Sequence, residues 1–315
     1  MDTLAQRGER SEAVGAGVTD PIETTPLPAL AGFGPGGSAI KIVRPLTPED
    51  LSQLDAGATV HRLAAPIMQM FGILTLNHGA LADFAAELAD PGAGFRDPSM
   101  QLNRHVLNYL ASANALLGHF GVTFKKRCRE VGNPDTGFDD FCRKLKAEND
   151  DFEFFCELRN HALHVGLPVG NISVAQHLHK GRSISIFHKT SSLIRDGSRD
   201  LKRCRLLSAL DEIELLPHLE CFHQVFMKDV FRFIVDCLMP GLEPSSRFHA
   251  RLTAEVKALG ADLRPVIMTG RTKHGSEFQW AFDWLPEDVF QELGISIERK
   301  PRDTAPEPDC SGSSD

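Results

Sequence analysis

Residues 138–165 read FDDFCRKLKAENDDFEFFCELRNHALHV, with Gly166 and Pro168 just beyond. Apolar side chains recur at steps of three and four, which predicts one helix from about Phe138 to Val165, capped by the glycine and stopped by the proline. Turning the segment by about 100° per residue puts Phe138, Phe141, Leu145, Phe152, Phe155, Cys156 and Leu163 on one arc. Arg159 falls near the centre of that arc. A buried guanidinium is costly unless it is paired and hydrogen-bonded, so an arginine within a phenylalanine stripe asks for a reason. Glu153, Glu157, Asn160 and His164 line up beside it as a polar edge.

The chain on either side is helical as well. Thr47-Pro48-Glu49-Asp50 has the layout of a helix start, a capping hydroxyl followed by proline and acids, and helical segments continue to about Asp90. DPGAGFRDP (90–98) breaks the chain. A long helix from Gln101 to about Glu130 carries Leu102, Val106, Leu110, Ala113, Leu117, Phe120 and Phe124 on its apolar stripe. Residues 172–188 alternate about Lys180-Gly181 and predict a β-hairpin. A helix from about Pro217 is expected to end at Pro240, followed by another through Phe248, Leu252, Val256 and Leu259. A hairpin over 264–284 and a short helix after Pro286 complete the pattern. Residues 1–38, rich in Gly, Pro and Thr, are expected to be a disordered leader, and 301–315 a disordered acidic tail. The expected domains are a helical one over 39–242 and a small α+β extension over 243–300.

Of the 315 residues 42% are hydrophobic and 24% charged, and the formal charge is -8. These values describe a soluble globular protein with a sizeable core. No apolar stretch reaches the roughly 20 residues that span a bilayer, and the N-terminus lacks a signal layout, so a cytoplasmic location without membrane contact is expected. Seven cysteines without a C-x-x-C pair argue against a disulfide framework or a cysteine zinc site. The acidic balance disfavours nonspecific coating of nucleic acid, which depends on summed phosphate contacts. Gly32, Gly34 and Gly37 match G-x-G-x-x-G, but AIKIV after them reads as a strand, which fails the requirement for a following helix. His177 and His179 share a strand face, yet His188 is several positions out of register with them, so no metal site is assigned.

The order Arg159-Asn160-x-x-x-His164, within RNHALH at the end of an apolar helix, resembles the recurrent motif of HEPN domains, and the resemblance covers roughly residues 47–240. It implies a mainly α fold, a HEPN-like antiparallel helical bundle carrying the inserted hairpin and the small C-terminal α+β extension. It also implies a metal-independent endoribonuclease without cofactor, acting as a homodimer, a toxin or antiviral-defence effector with an antitoxin or regulatory protein as possible partner. Arg159 would then bind the scissile phosphate, a task suited to a planar, always-charged donor fork. His164 would serve as general acid or base on the 2'-hydroxyl or the leaving oxygen, and Asn160 would orient one of them or the substrate. His161 has no assigned role. RNA would be guided by Lys125, Lys126 and Arg127, and by the segment from Lys180 to Arg205, which holds eight basic residues against two acids, Arg182, Lys202 and Arg203 among them. The second match, Arg182 to His188, lies in a predicted strand and carries no such meaning. Two other readings stand beside this one. The domain is a noncatalytic module binding a nucleotide, RNA or protein, or Arg159 pairs with Glu148, Glu157 or another acid and fixes packing only.

Overall fold

The computed structural model describes residues 25–35, 39–90, 97–125, 137–164, 166–177, 181–274 and 277–295. It begins with β1 (Ala29–Phe33) and β2 (Ile40–Pro45), which pair antiparallel. Helix α1 (Pro48–Ala89) starts at Thr47, whose side chain accepts from the Asp50 N–H while the Asp50 carboxylate accepts from the Thr47 N–H, a complete capping box. Helix α2 (Pro98–His119) runs on into a π turn over Phe120–Phe124. Then follow α3 (Phe138–Glu148), α4 (Asp150–His164), β3 (Asn171–His177), β4 (Gly181–Lys189) and α5 (Thr190–Asp196). A 3-10 turn (Leu201–Arg203), α6 (Arg205–Ala209) and β5 (Glu212–Glu214) lead to α7 (Leu215–Val225), which joins α8 (Phe231–Lys257) through a second π turn. The order ends with β6 (Arg264–His274), β7 (Glu277–Trp284) and α9 (Val289–Glu292).

The protein is mainly helical with two small antiparallel sheets. One hydrophobic core takes in α1, α2, α3, α4, α7 and the first half of α8, with Phe152, Phe155, Phe222 and Phe226 packed ring to ring. The expected hairpin at 172–188 is present, with His177 opposite Gly181 and β5 added as a third strand.

Three expectations need correction. The segment 138–165 is two helices, because Asn149 adopts an extended conformation (φ -132°, ψ 111°) and its Oδ1 accepts from the Phe152 N–H at 2.7 Å. An asparagine followed by Asp150, Asp151 and Glu153 is an N-cap with acids in the first turn, and it restarts the helix rather than continuing it.

The leader does not extend to residue 38. Ala29, Leu30 and Ala31 are fully buried in β1, an interior strand of the sheet ordered β2-β1-β6-β7. Gly32, which reads as linker composition, is there for packing: a Cβ on it would lie 2.9 Å from side-chain atoms of both Leu263 and Val256. Residues 1–24 and 296–315, including the expected tail, lie outside the described residues.

The boundary at 242/243 falls inside α8, which runs through Pro240 and Pro244. A helix-interior proline costs about 3 kcal/mol. Here the cost is met on both sides: Ile234, Leu238 and Leu242 sit in the main core, while Phe248, Leu252 and Val256 pack against Leu30 and Ile267 of the sheet. The hairpin β6–β7 therefore shares its sheet with β1 and β2, and the four strands form one layer on α8.

Candidate functional site

Helix α4 carries the arginine-asparagine-histidine motif in its last two turns. Its buried face is formed by Phe154, Phe155, Leu158 and His161, turned from the expected arc towards Phe154 and Leu158, which that arc left out. Arg159 consequently lies at the edge of the buried face, half-buried rather than central. Its Nη1 donates to Asn160 Oδ1 at 3.0 Å, while its Nε is shielded from water and has no partner. Among the described residues no carboxylate pairs with Arg159.

The acids that could have taken it are engaged elsewhere. Glu157 accepts from Asn160 Nδ2 at 3.2 Å and from Lys146 Nζ at 2.9 Å, and Glu148 lies 3.8 Å from Lys144. A chain Lys146–Glu157–Asn160–Arg159 thus fixes the amide beside the guanidinium and leaves Arg159 Nη2 without a hydrogen bond among the described residues. The packing-only reading, with Arg159 neutralised by an acid, is not what the described contacts hold. His164 ends α4, one turn beyond Asn160.

The expected RNA contacts separate into three groups. Lys125 is tied to Asp139 at the start of α3, and Lys126 and Arg127 lie outside the described residues. Arg182 is in β4 opposite Gln176, so the second arginine-histidine match does lie in a strand. Lys202 and Arg203 are exposed on the 3-10 turn packed against α4. Lys202 Nζ donates to the Arg195 carbonyl, whereas the side chains of Arg199 and Arg203 make no hydrogen bond or ion pair with described residues. This stretch runs alongside α4, since the 3-10 turn and α6 both pack on that helix and Arg205 reaches Glu153 and the Lys146 and Ala147 carbonyls. Arg205 therefore seals the α3/α4 junction, and Arg195 is held by Asp196.

No family model, curated protein or solved structure matches the chain. The site is accordingly defined by its own geometry.

Sequence reasoning missed His161. It is 4% exposed, its Nδ1 has no hydrogen-bond partner, and burial pushes its pKa down against the opposing pull of Asp196. His188 on β4 is a second such ring, with an unpartnered buried Nδ1 and a pKa lowered first by burial and then by His161. The two imidazoles flank the chain as it leaves α4, against Gly166 and Gly170 respectively. Asn103 of α2 pins that exit by accepting from the Val169 N–H at 3.0 Å. The signal available in the sequence was the spacing of His161 from Phe154 and Leu158, at steps of four and three.

Cys142, Cys156 and Cys204 are in no disulfide, and burial pushes the thiol of Cys142 to about 11 and those of Cys156 and Cys204 to about 12. They behave as small hydrophobes and not as nucleophiles. Among the described residues no group of three His, Cys, Asp or Glu is arranged to hold a metal ion, and no helix is long and apolar enough to cross a membrane.

Proposed function

We propose that the chain is a HEPN-like, metal-independent endoribonuclease in which Arg159, Asn160 and His164 act on a phosphodiester. The observation that carries this reading is an arginine at the edge of an apolar face, without a carboxylate partner among the described residues and braced by its neighbouring asparagine. Such a guanidinium is available to an anion. In the proposed reaction the 2'-oxygen of the substrate bonds to phosphorus and the bond to the 5'-oxygen breaks, giving a cyclic phosphate and a free 5'-hydroxyl. Arg159 stabilises the charge on the phosphoryl oxygens. His164 moves a proton, either taking it from the 2'-hydroxyl or giving it to the leaving oxygen. Asn160, held by Glu157, positions the guanidinium. The exposed Arg199, Lys202 and Arg203 beside α4 guide the RNA backbone, and two copies of the motif meet in a homodimer. A toxin or defence role with a regulatory partner belongs to the same proposal.

The test is cleavage of single-stranded RNA in a chelating buffer. Arg159→Ala and His164→Ala are expected to lower the rate by about 10²–10³ each, the usual loss for a charge-stabilising donor, with the fold retained by circular dichroism. Activity that survives both substitutions, or that needs added metal, refutes the assignment. Saturable RNA binding without turnover, sensitive to Arg203→Ala but not to the motif, would establish the noncatalytic module instead.

A further inference from the structure

Between α1, α8 and the four-stranded sheet lies an open cleft of about 560 Å³, lined by no residue of α4 and within the range of roughly 300–1,000 Å³ typical of small-molecule sites. Its floor comes from two helix faces, Gly57 and His61 on α1 and Ser245 and His249 on α8, each pair one turn apart. Gly57 makes the close approach possible: a Cβ there would lie 2.5 Å from Ser245 Oγ and 3.8 Å from His249 Nε2. Leu51, Leu54, Ile267, Leu285 and Val289 supply apolar walls.

The polar groups of this floor are underused. His249 is 9% exposed, and its Nδ1 is shielded without a partner. Its Nε2 makes no hydrogen bond with any described residue. His61 Nε2 is likewise shielded and without a hydrogen bond, its nearest carboxylate oxygen, on Glu292, being 3.7 Å away. Buried polar atoms are ordinarily partnered, so two such rings in one floor hold hydrogen-bonding capacity the fold does not consume. Burial, and then His61, keeps His249 below the ordinary imidazole range, so at neutral pH the ring carries a bare acceptor nitrogen. Around the cleft stand three carboxylates, Asp55, Asp283 and Glu292, against the single guanidinium of Arg62, whose Nη2 is turned to Thr59 of its own helix. Trp284, 44% exposed, lies at the rim.

Acceptors below, carboxylates around and apolar walls between recognise a donor-rich, positively charged head on an apolar body. We propose that this cleft is a binding site for a small amphipathic amine, its ammonium directed to Ser245 and His249 and its apolar part lying against Leu54, Ile267 and Leu285. Carboxylates at the cleft disfavour phosphorylated and carboxylated ligands, which separates this site from any RNA-binding surface at α4.

Three probes of matched size test it on the full chain: 2-phenylethylamine, 2-phenylethanol and phenylacetate, followed by ligand-detected NMR and tryptophan fluorescence. The amine is expected to bind most tightly and phenylacetate least, with on the order of tenfold between them from the local charge. Asp55→Lys, at an exposed position, should weaken the amine by a similar factor and leave the alcohol unchanged. Trp284→Phe should abolish the fluorescence response, because the remaining tryptophan, Trp280, is buried at 2% exposure, while the NMR signal of binding persists. The proposal is overturned if none of the probes binds at millimolar concentration, if phenylacetate binds as well as the amine, if Asp55→Lys leaves the amine unaffected, or if the fluorescence response survives Trp284→Phe.

Discussion

Replacing Asp50 with asparagine should loosen the joint between the sheet and the helices. Its carboxylate is 5% exposed and gathers three elements. Oδ2 accepts from the Thr47 N–H at 3.0 Å, from Thr47 Oγ1 at 2.9 Å and from Arg44 Nη1 of β2 at 2.6 Å. Oδ1 accepts from Arg251 Nη2 of α8 at 2.9 Å. The Arg44 hydrogen bond, and then the Thr47 contacts, hold the carboxyl down at about 2 against the opposing cost of burial, from an ordinary value of 3.8. That difference of nearly two pH units corresponds to ~2.5 kcal/mol, at about 1.36 kcal/mol per unit. Asparagine keeps the cap shape but loses the charge that pairs with two guanidiniums, and Arg44 retains Glu255 as a partner, so the loss at neutral pH should be about 2–4 kcal/mol. Because the folded-state pKa is depressed, this contribution is fully present above pH 3.8 and disappears as pH falls towards 2. Urea titrations followed by far-UV circular dichroism at a series of pH values should therefore show Asp50→Asn well below the parent at pH 7, with the gap closing in the acid range. A variant within about 0.5 kcal/mol of the parent at pH 7, or a gap that stays constant into acid, would refute the reasoning.

Further outcomes can be measured in the same way. His223 is stacked on His78 with ring centroids 3.7 Å apart and bonded to Tyr109 Oη at 3.2 Å. Burial, and then His78, lowers its pKa from 6.5 to about 4, so stability should decline as pH falls from above 6.5 towards 4, by on the order of 2 kcal/mol after allowance for partial exposure. His223→Gln should flatten that part of the profile, and an unaltered profile would count against the stacked pair as its source. Asn149→Ala removes the cap of α4 and should cost about 0.5–2 kcal/mol in thermal or urea unfolding. Gly32→Val forces side-chain atoms into Leu263 and Val256 and should cost about 1–3 kcal/mol or more, whereas a linker position would tolerate it.

Much of the helical pattern was legible because its signals are local. Thr47-Pro48-Glu49-Asp50 announces a capping box within four residues, and the apolar stripe of α2 repeats within one helix. Hairpins at 172–188 and 264–284 declare themselves by alternation about a turn. Asn149 was equally local, yet the phenylalanine spacing on either side of it mimics one continuous helix, and only the backbone shows that the phase restarts. The motif residues Arg159 and Asn160 were found by their order. Their environment was not, because it depends on where α4 begins and on Lys146 from the helix before.

The sequence alone determined that the long segments either side of the hairpin at 172–188 are helical, and that Cys142, Cys156 and Cys204 lie among apolar neighbours, since each of these follows from residues a few positions apart. Tertiary structure decided the rest. ALAGF became an interior strand because β6, more than 230 residues later, lies beside it, and α8 kept its prolines because two separate cores hold its two halves. His161 and His188 came together at the exit of α4, and His61 and His249 at the floor of a cleft, through contacts between elements far apart in the chain. Periodicity tells which face of a helix is buried, but the partner that buries it is set by long-range packing, and the partner decides which polar atoms are left free to act.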